Sequence, residues 1–495
     1  MTQEIRVSIH VHGEDRTQQI RDWEIRWSEQ RAALTLICRF HSGKSFTSLL
    51  SDCRITPTRE LGKTLLVKKG SSITNDIDKA VIYGEKYAVI YYTGSSRPYP
   101  WKLENIEFVP QTTMKDEAIF QYFIAVASAR TEQATSDDQK QIAANVVRQL
   151  GMLPACPGTA LHAYCTRQLA RQAPTNYLIY PFGVNASQLV AVEQAFTSQV
   201  SLIEGPPGTG KTQTILNIIA NVLVRGKTVA VLSNNNAAVE NVYEKLGKSG
   251  LDYLVARLGS KKHQEQFFAS LPDVPPGRPE PAPTMARIQE ILAQLKDHLQ
   301  AHNMAAQLQA EVDELAIERR HLLQWQQENG IQALPSLDKY GLSPRKTADL
   351  MVYLSYLAER RIRLQDRIAL LLDFRIFRTD PFGNGHKRQS IIHALQLHYY
   401  DQALRKKEAA LAACRASLER GDFKALLDEL TAGSMRYLKS HLHAHVKDAQ
   451  TFDKKDYRHN FDAFVKRFPI LGSSTHSIVN SIAKGAVLNY VIIDE

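Results

Sequence analysis

Nine consecutive residues, Glu204–Thr212 (EGPPGTGKT), set three glycines, a lysine and a threonine at the spacing of a phosphate-binding loop. Gly205, Gly208 and Gly210 let the backbone turn tightly around an anion with no Cβ in the way. Pro206, Pro207 and Thr209 complete the loop, whose N–H groups, with the start of a following helix, face the charge. Lys211 brings a point charge toward the β- and γ-phosphates, Thr212 offers a hydroxyl to Mg2+, and Gln213 comes next in the first helical turn. At the far end of the sequence, Tyr490–Glu495 (YVIIDE) is an apolar run closed by two carboxylates. Asp494 suits the Mg2+ shell, and Glu495 suits orienting or deprotonating an attacking water. These are the two halves of a nucleoside-triphosphate site.

Such a loop works only between a strand and a helix. Val200–Ile203 predicts a short buried strand and Thr214–Val224 a buried helix. After the turn Arg225–Lys227 come a predicted strand over Thr228–Ser233, a polar loop over Asn234–Ala238, a helix over Val239–Leu246 and a strand over Leu254–Leu258. Pro469–Ser474 predicts a further strand that enters Ser473–Ser477 (SSTHS). Apolar strands alternating with helices imply a parallel sheet covered on both faces.

The remaining sequence divides around this core. Residues 1–112 hold short runs rich in β-branched and aromatic residues, among them Ile5–Val11, Trp23–Trp27, Leu34–Phe40, Leu65–Lys69, Ala80–Tyr83 and Tyr87–Tyr92. Turn-forming clusters separate them, which predicts a small barrel or sandwich. Exposed aromatics on its sheet would suit base stacking; the alternative is that they serve as a barrel core or that the domain is a protein-docking module. Residues 113–178 turn to helical spacing and form a connector, with Gly151 and Pro154 as a stop. Residues 179–260 open the nucleotide-binding core. Within 261–467, the proline-rich Leu271–Thr284 is a rigid linker that leads into a long helical insertion. Residues 284–330 carry four basic and seven acidic side chains, and 343–378 carry eight basic and four acidic. Opposite charge on consecutive helices predicts an antiparallel coiled-coil arm, with Leu350, Leu354, Leu357, Leu364 and Ile368 on the apolar stripe. A basic helical stretch, Ile391–His445, comes after it, and the core resumes over 468–495.

Composition narrows the classes. No apolar run reaches the roughly 18 residues of a membrane span, and no secretory signal is visible. The five cysteines form no CxxC pair, so reduced thiols in a cytoplasmic setting fit, and a zinc ribbon or disulfide framework does not. His441, His443 and His445 lack a carboxylate or thiol at ligand spacing, which argues against zinc. The Gly43-Lys44-Ser45 triplet lacks the first loop glycine, since position 38 is Cys, and is rejected as a second nucleotide site. A net charge of +10 is compatible with a polyanionic partner.

With both elements placed, the sequence resembles the first RecA-like domain of superfamily 1B helicases, in particular the nonsense-mediated-decay and senataxin-type group. Asn185-Ala186-Ser187-Gln188 is similar to that group's Q motif, GPPGTGKT to its P-loop, and YVIIDE to its Walker B. The resemblance implies that Gln188 reads adenine through its amide, with Tyr180 or Phe182 against the base. It implies that Ser233, Asn234, Asn235 and Asn236, in the position of motif Ia, together with Ser474 and Thr475, touch a single strand.

The resemblance further implies an ATP- and Mg2+-dependent helicase or translocase working on single-stranded DNA or RNA. A protein partner would dock through the helical arm or the β domain, and no membrane is involved. In that group a second RecA-like domain comes after Walker B and supplies arginine fingers. The expectation is therefore a chain cut before that domain, which alone hydrolyses ATP poorly, because a missing finger costs about 10³–10⁵ in rate. The alternative is an ATP-binding regulatory or scaffold protein without helicase activity.

Overall fold

The computed structural model describes residues 7–62, 65–70, 72–74, 77–170, 173, 177–234, 236–277, 279–331, 343–357, 362–374, 376, 385–419, 421–447 and 451–494. They fall into two compact units, Met1–Met285 with Gly433–Glu495, and Ala286–Ala432.

The first unit is centred on a four-stranded parallel sheet in the order Val255–Arg257, Ile470–Ser473, Val229–Ser233, Tyr490–Asp494. Every residue of Val229–Ser233 is buried, as a central strand covered on both faces requires. The helix Lys211–Val224 buries Thr214 through Leu223 without a break. Tyr243, on the helix Asn236–Lys248, lies directly over Gly472, where any Cβ would stand 1.3 Å from its hydroxyl. The expected strand over Val200–Ile203 does not form. That segment is irregular, with Val200 and Leu202 exposed, and among the described residues no strand lies alongside it to complete a ladder. At the sheet edge, Val491 and Ile493 of Tyr490–Asp494 are likewise exposed.

The N-terminal region of this unit is β-rich and antiparallel. Ile20–Ser28, Ala33–Phe40 and Ser45–Leu49 make one sheet. Tyr99–Lys102, Tyr87–Tyr92, Ile77–Tyr83 and Thr58–Leu61 make another, and two three-stranded sheets accompany them. Trp23, Ile25, Leu36, Cys38, Ile55 and Val89 share one apolar cluster. The hairpin of Leu65–Lys69 and Ser72–Thr74 reaches the segment ahead of Tyr490–Asp494: the Ile73 N–H donates to the Gly485 carbonyl at 2.7 Å, and Ser72 bridges Ala486. Helices Ala118–Glu132, Asp137–Met152 and Ala160–Thr166 connect the two parts of the unit in sequence. Ser136 caps the second of them by accepting from the Gln139 N–H, with Asp137 and Asp138 in the positive first turn.

The second unit is helical. Its long helix, Met285–Glu328, pairs antiparallel with Gly385–Glu419 through Arg319–Asp401 at 2.7 Å, Glu311–Lys407 and Gln309–Arg415 at 2.6 Å. Ala305, Leu308 and Leu411 are buried between them. This corrects the expectation that residues 284–330 pair with 343–378: the acidic helix pairs with the basic third stretch instead, through ion pairs and the Ala305, Leu308 and Leu411 contact. Pro344–Tyr356 and Leu364–Phe374 instead bury Leu350, Leu354, Leu370 and Phe374 against Ile391 and Leu395. Leu364 and Ile368, expected on the apolar stripe, are exposed. The helical stretch expected over Ile391–His445 is made of two helices that meet near Gly421, where Asp422 accepts from the N–H groups of Lys424 and Ala425 and caps the helix Phe423–His445.

Candidate nucleotide site and nucleic-acid edge

The loop Gly205–Gly210 turns through two left-handed glycines, Gly208 at φ +86° and Gly210 at φ +85°. A Cβ on Gly210 would lie 2.3 Å from the Gln188 amide nitrogen, and one on Gly205 would lie 2.6 Å from the Thr209 hydroxyl. Larger residues would therefore push the loop open. Gly210 begins the helix Lys211–Val224 without a side-chain cap, so the first helical N–H groups are left for another acceptor. The Lys211 ammonium donates to the Gly205 carbonyl at 2.7 Å and has no carboxylate partner among the described residues. An uncapped helix start beside an ammonium with no carboxylate partner among the described residues fits an anionic phosphate group. Thr209 turns back on the Pro206 carbonyl at 2.8 Å, while Pro207 is exposed at the loop tip.

Gln188 is buried at 6% exposure and bridges two elements. Its oxygen accepts from the Asn185 N–H at 3.0 Å, closing a capping box with the Asn185 side chain, and its nitrogen donates to the Thr209 and Gly210 carbonyls at 3.2 and 3.4 Å. The amide thus grips the phosphate loop itself. Tyr180 is fully buried, its hydroxyl has no partner among the described residues, and burial pushes its phenol pKa up. Tyr180 has no exposed surface, whereas Phe182 of the same segment is half-buried.

Of the residues that hold the Phe182 segment, sequence reasoning missed Asn217 and Asn221. Gln213, Asn217 and Asn221 recur every four residues on the loop helix and stitch Ile179–Gly183 to it. Gln213 donates to the Phe182 carbonyl. Asn217 accepts from the Phe182 N–H at 3.2 Å and donates to the Gly183 carbonyl at 2.8 Å. Asn221 accepts from the Ile179 N–H at 2.9 Å and donates to the Ile179 carbonyl at 2.7 Å. The signal was an amide at every fourth position of an otherwise apolar helix, a placement that costs free energy unless each amide is paired. Gln213, expected at the nucleotide, has its amide here.

The carboxyl ends of the strands gather the other candidates. Asp494 stands in register with Ser233, and Ser473 with Leu232. Thr475 donates to Asn234 across these neighbouring strand ends, and Ser474 donates to Ser477 at 2.9 Å. Asn234 is exposed, but Ser233 is buried at 1% exposure, so its side chain is not available to a strand lying on this edge. Asn241, on the next helix, donates to the Thr212 hydroxyl at 3.3 Å. Glu495 and Asn235 lie outside the described residues, as does the side chain of Asn236.

The AAA domain family matches residues 183–495, more than half of the chain and all of the geometry just described from Gly183 onward. The chain belongs to the AAA domain family. Its relatives include the DNA polymerase alpha-associated DNA helicase A of Schizosaccharomyces pombe, 40% identical over 91 residues, which are 18% of this chain and 13% of that protein. The regulator of nonsense transcripts 1 of Caenorhabditis elegans is 40% identical over 83 residues, 17% of this chain and 8% of that protein. An uncharacterised ATP-dependent helicase of Mycoplasma pneumoniae is 48% identical over 84 residues, 17% of this chain and 6% of that protein. Each match thus spans a small part of a longer relative. Family and relatives are consistent with the superfamily 1B resemblance, and the AAA domain begins at the Gln188 segment and contains both nucleotide-site motifs.

Proposed function

We propose that this AAA domain, with its N-terminal β region and helical insertion, is the ATP-binding part of an ATP-dependent helicase or translocase acting on single-stranded nucleic acid. The observation that carries the reading is the shared strand edge. Asp494 pairs with Ser233 in register, and Asn234, the next residue, bonds to Thr475. An acid suited to the nucleotide site and two short polar side chains suited to a strand therefore stand at one end of the same sheet. Ligands of open parallel sheets bind outside these carboxyl ends.

In this reading Lys211 takes the β- and γ-phosphates in place of the Gly205 carbonyl, and the uncapped N–H groups at the helix start face the same charge. Thr212 and Asp494 would hold Mg2+, which when bound draws charge off the phosphate oxygens. Glu495 would orient or deprotonate the attacking water. Gln188 and Phe182 take the adenine end, and Asn234, Ser474 and Thr475 contact strand phosphates, which leaves the bases unread. Names of the relatives divide between DNA helicase and nonsense-transcript regulation, so both DNA and RNA are substrates to test. The antiparallel helix pair of the insertion supplies a coiled-coil arm for strand separation or a protein partner, and a cytoplasmic setting fits. Among the described residues no helix is long and apolar enough to cross a membrane.

The test is ATP hydrolysis by the full chain with and without single-stranded DNA or RNA, beside Lys211→Ala. Stimulation by one polymer, absent in the variant, supports the reading and names the substrate. Nucleotide binding that is indifferent to both polymers, with neither polymer bound, contradicts it in favour of a regulatory ATP-binding protein.

A further inference from the structure

Thr212 and Asn241 belong to different elements, the helix Lys211–Val224 and the helix Asn236–Lys248, and meet through a single side-chain hydrogen bond at 3.3 Å, amide nitrogen to hydroxyl oxygen. Neither side chain is needed to hold the helices, which are built on buried residues such as Leu216, Ile219, Val242 and Leu246. Asn241 is exposed and costs nothing to leave in water. The second helix is held in place elsewhere: Tyr243 lies against Gly472, and Glu240 pairs with Arg257 at 3.0 Å, whose guanidinium covers the Tyr243 ring at 4.8 Å. Asn241 is thus an optional polar group presented by a fixed scaffold to the hydroxyl that the phosphate loop offers a cation.

A threonine hydroxyl has one proton to donate and two lone pairs to accept with. A cation on the Thr212 oxygen takes a lone pair and repels an N–H aimed at the same atom. It also makes the hydroxyl proton a stronger donor, and that proton needs an acceptor. An asparagine amide carries a donor and an acceptor on one planar group, so turning it over changes the bond from N–H→Oγ1 to O–H→Oδ1 without moving the helix.

We propose that Asn241 is a positioning residue for the cation-binding hydroxyl of Thr212. Its amide, which donates to Thr212 here, would accept a hydrogen bond from the Thr212 hydroxyl once a divalent cation is bound there. The inference rests on the reading of Gly205–Thr212 as a Mg-nucleotide site. It deepens that reading by adding a residue outside both nucleotide motifs. Because Asn241 shares its helix with the end of the Asn234 loop, the same amide ties the nucleotide side of the sheet to the strand side.

The experiment is equilibrium binding of a fluorescent ATP analogue to the full chain, with excess EDTA and across a Mg2+ titration, for the wild type, Asn241→Leu and Asn241→Asp. Outer partners of metal ligands are typically worth about 10–100-fold in metal affinity. Asn241→Leu is expected to raise the Mg2+ concentration for half-maximal enhancement about tenfold and leave affinity in EDTA unchanged. Asn241→Asp, which keeps an acceptor, is expected to retain the wild-type Mg2+ response. An Asn241→Leu titration that overlays the wild type overturns the proposal. So does an equal loss with and without Mg2+, which would mark a merely structural role. A wild type that binds no analogue under either condition overturns the underlying site as well, and a wild type that binds with a Mg2+ response separates the two questions.

Discussion

Asn221 and Ile179 exchange two hydrogen bonds, at 2.9 and 2.7 Å, deep in the first unit where Asn221 is fully buried. A helix side chain is thereby serving as the ladder partner of an extended segment. Replacing Asn221 with Leu keeps the branched shape, adds some bulk, and leaves both backbone groups of Ile179 unpaired. Each such group costs about 1–3 kcal/mol, so Asn221→Leu is expected to destabilise the unit by about 3 kcal/mol in urea unfolding. A loss below about 1 kcal/mol would mean that water or another group satisfies Ile179.

Gln188 touches the phosphate loop rather than standing free in the cleft. Gln188→Ala should therefore loosen the loop as well as remove the proposed adenine contact. The expected result is about a tenfold loss of ATP affinity, the weight of one charge-assisted or buried hydrogen bond, with a smaller loss for GTP. Identical losses for both nucleotides in a binding titration would assign Gln188 to the loop alone.

Gly485 has φ +75°, and a Cβ there would stand 2.2 Å from the Ile73 carbonyl oxygen. Any other residue strains the backbone by about 1–3 kcal/mol and drives the Leu65–Thr74 hairpin off the segment that leads into Tyr490–Asp494. In hydrogen exchange, the Ile73 amide, bonded to Gly485 in the native chain, is expected to exchange markedly faster in Gly485→Ala. Unchanged protection would show that the hairpin is held elsewhere.

His393 is buried in the helical unit beside the Trp325 ring, 5.5 Å between centroids, and burial pulls its imidazole pKa down. The unfolded state then binds a proton, near the ordinary value of about 6.5, that the folded state refuses. Stability is full above the unfolded pKa and falls as the pH drops below it toward the lowered folded value. Urea midpoints at pH 5 and 7.5 should differ more for the wild type than for His393→Leu. An equal drop in both would place the acid sensitivity in other groups.

Much of this architecture was legible in the residues, for reasons that can be named. Val229–Ser233 and Ile470–Ser473 form strands because short apolar runs flanked by polar turns leave little else to do, and the loop at Gly205–Thr212 announces itself through glycine spacing. What escaped was anything decided at long range. Val200–Ile203 carries a strand's residues, but a strand needs a neighbour, and none lies beside it among the described residues. Two basic stretches come after the acidic Met285–Glu328, so charge balance alone did not choose between them, and the contact of Ala305 and Leu308 with Leu411 is made across about a hundred residues of sequence. Asn217 and Asn221 interrupt an apolar helix because their backbone partners lie about forty residues upstream, which local sequence does not reveal.

Lys211 is the centre of the nucleotide assignment, an ammonium bonded to the Gly205 carbonyl and to no carboxylate among the described residues. The most direct measurement is equilibrium binding of ATP with Mg2+ to the wild type and to Lys211→Ala. Saturable binding by the wild type that weakens at least tenfold in the variant, with the fold intact by circular dichroism, is the predicted result. Equal binding by both proteins, or none by the wild type, would contradict the assignment of Gly205–Thr212 as the nucleotide site.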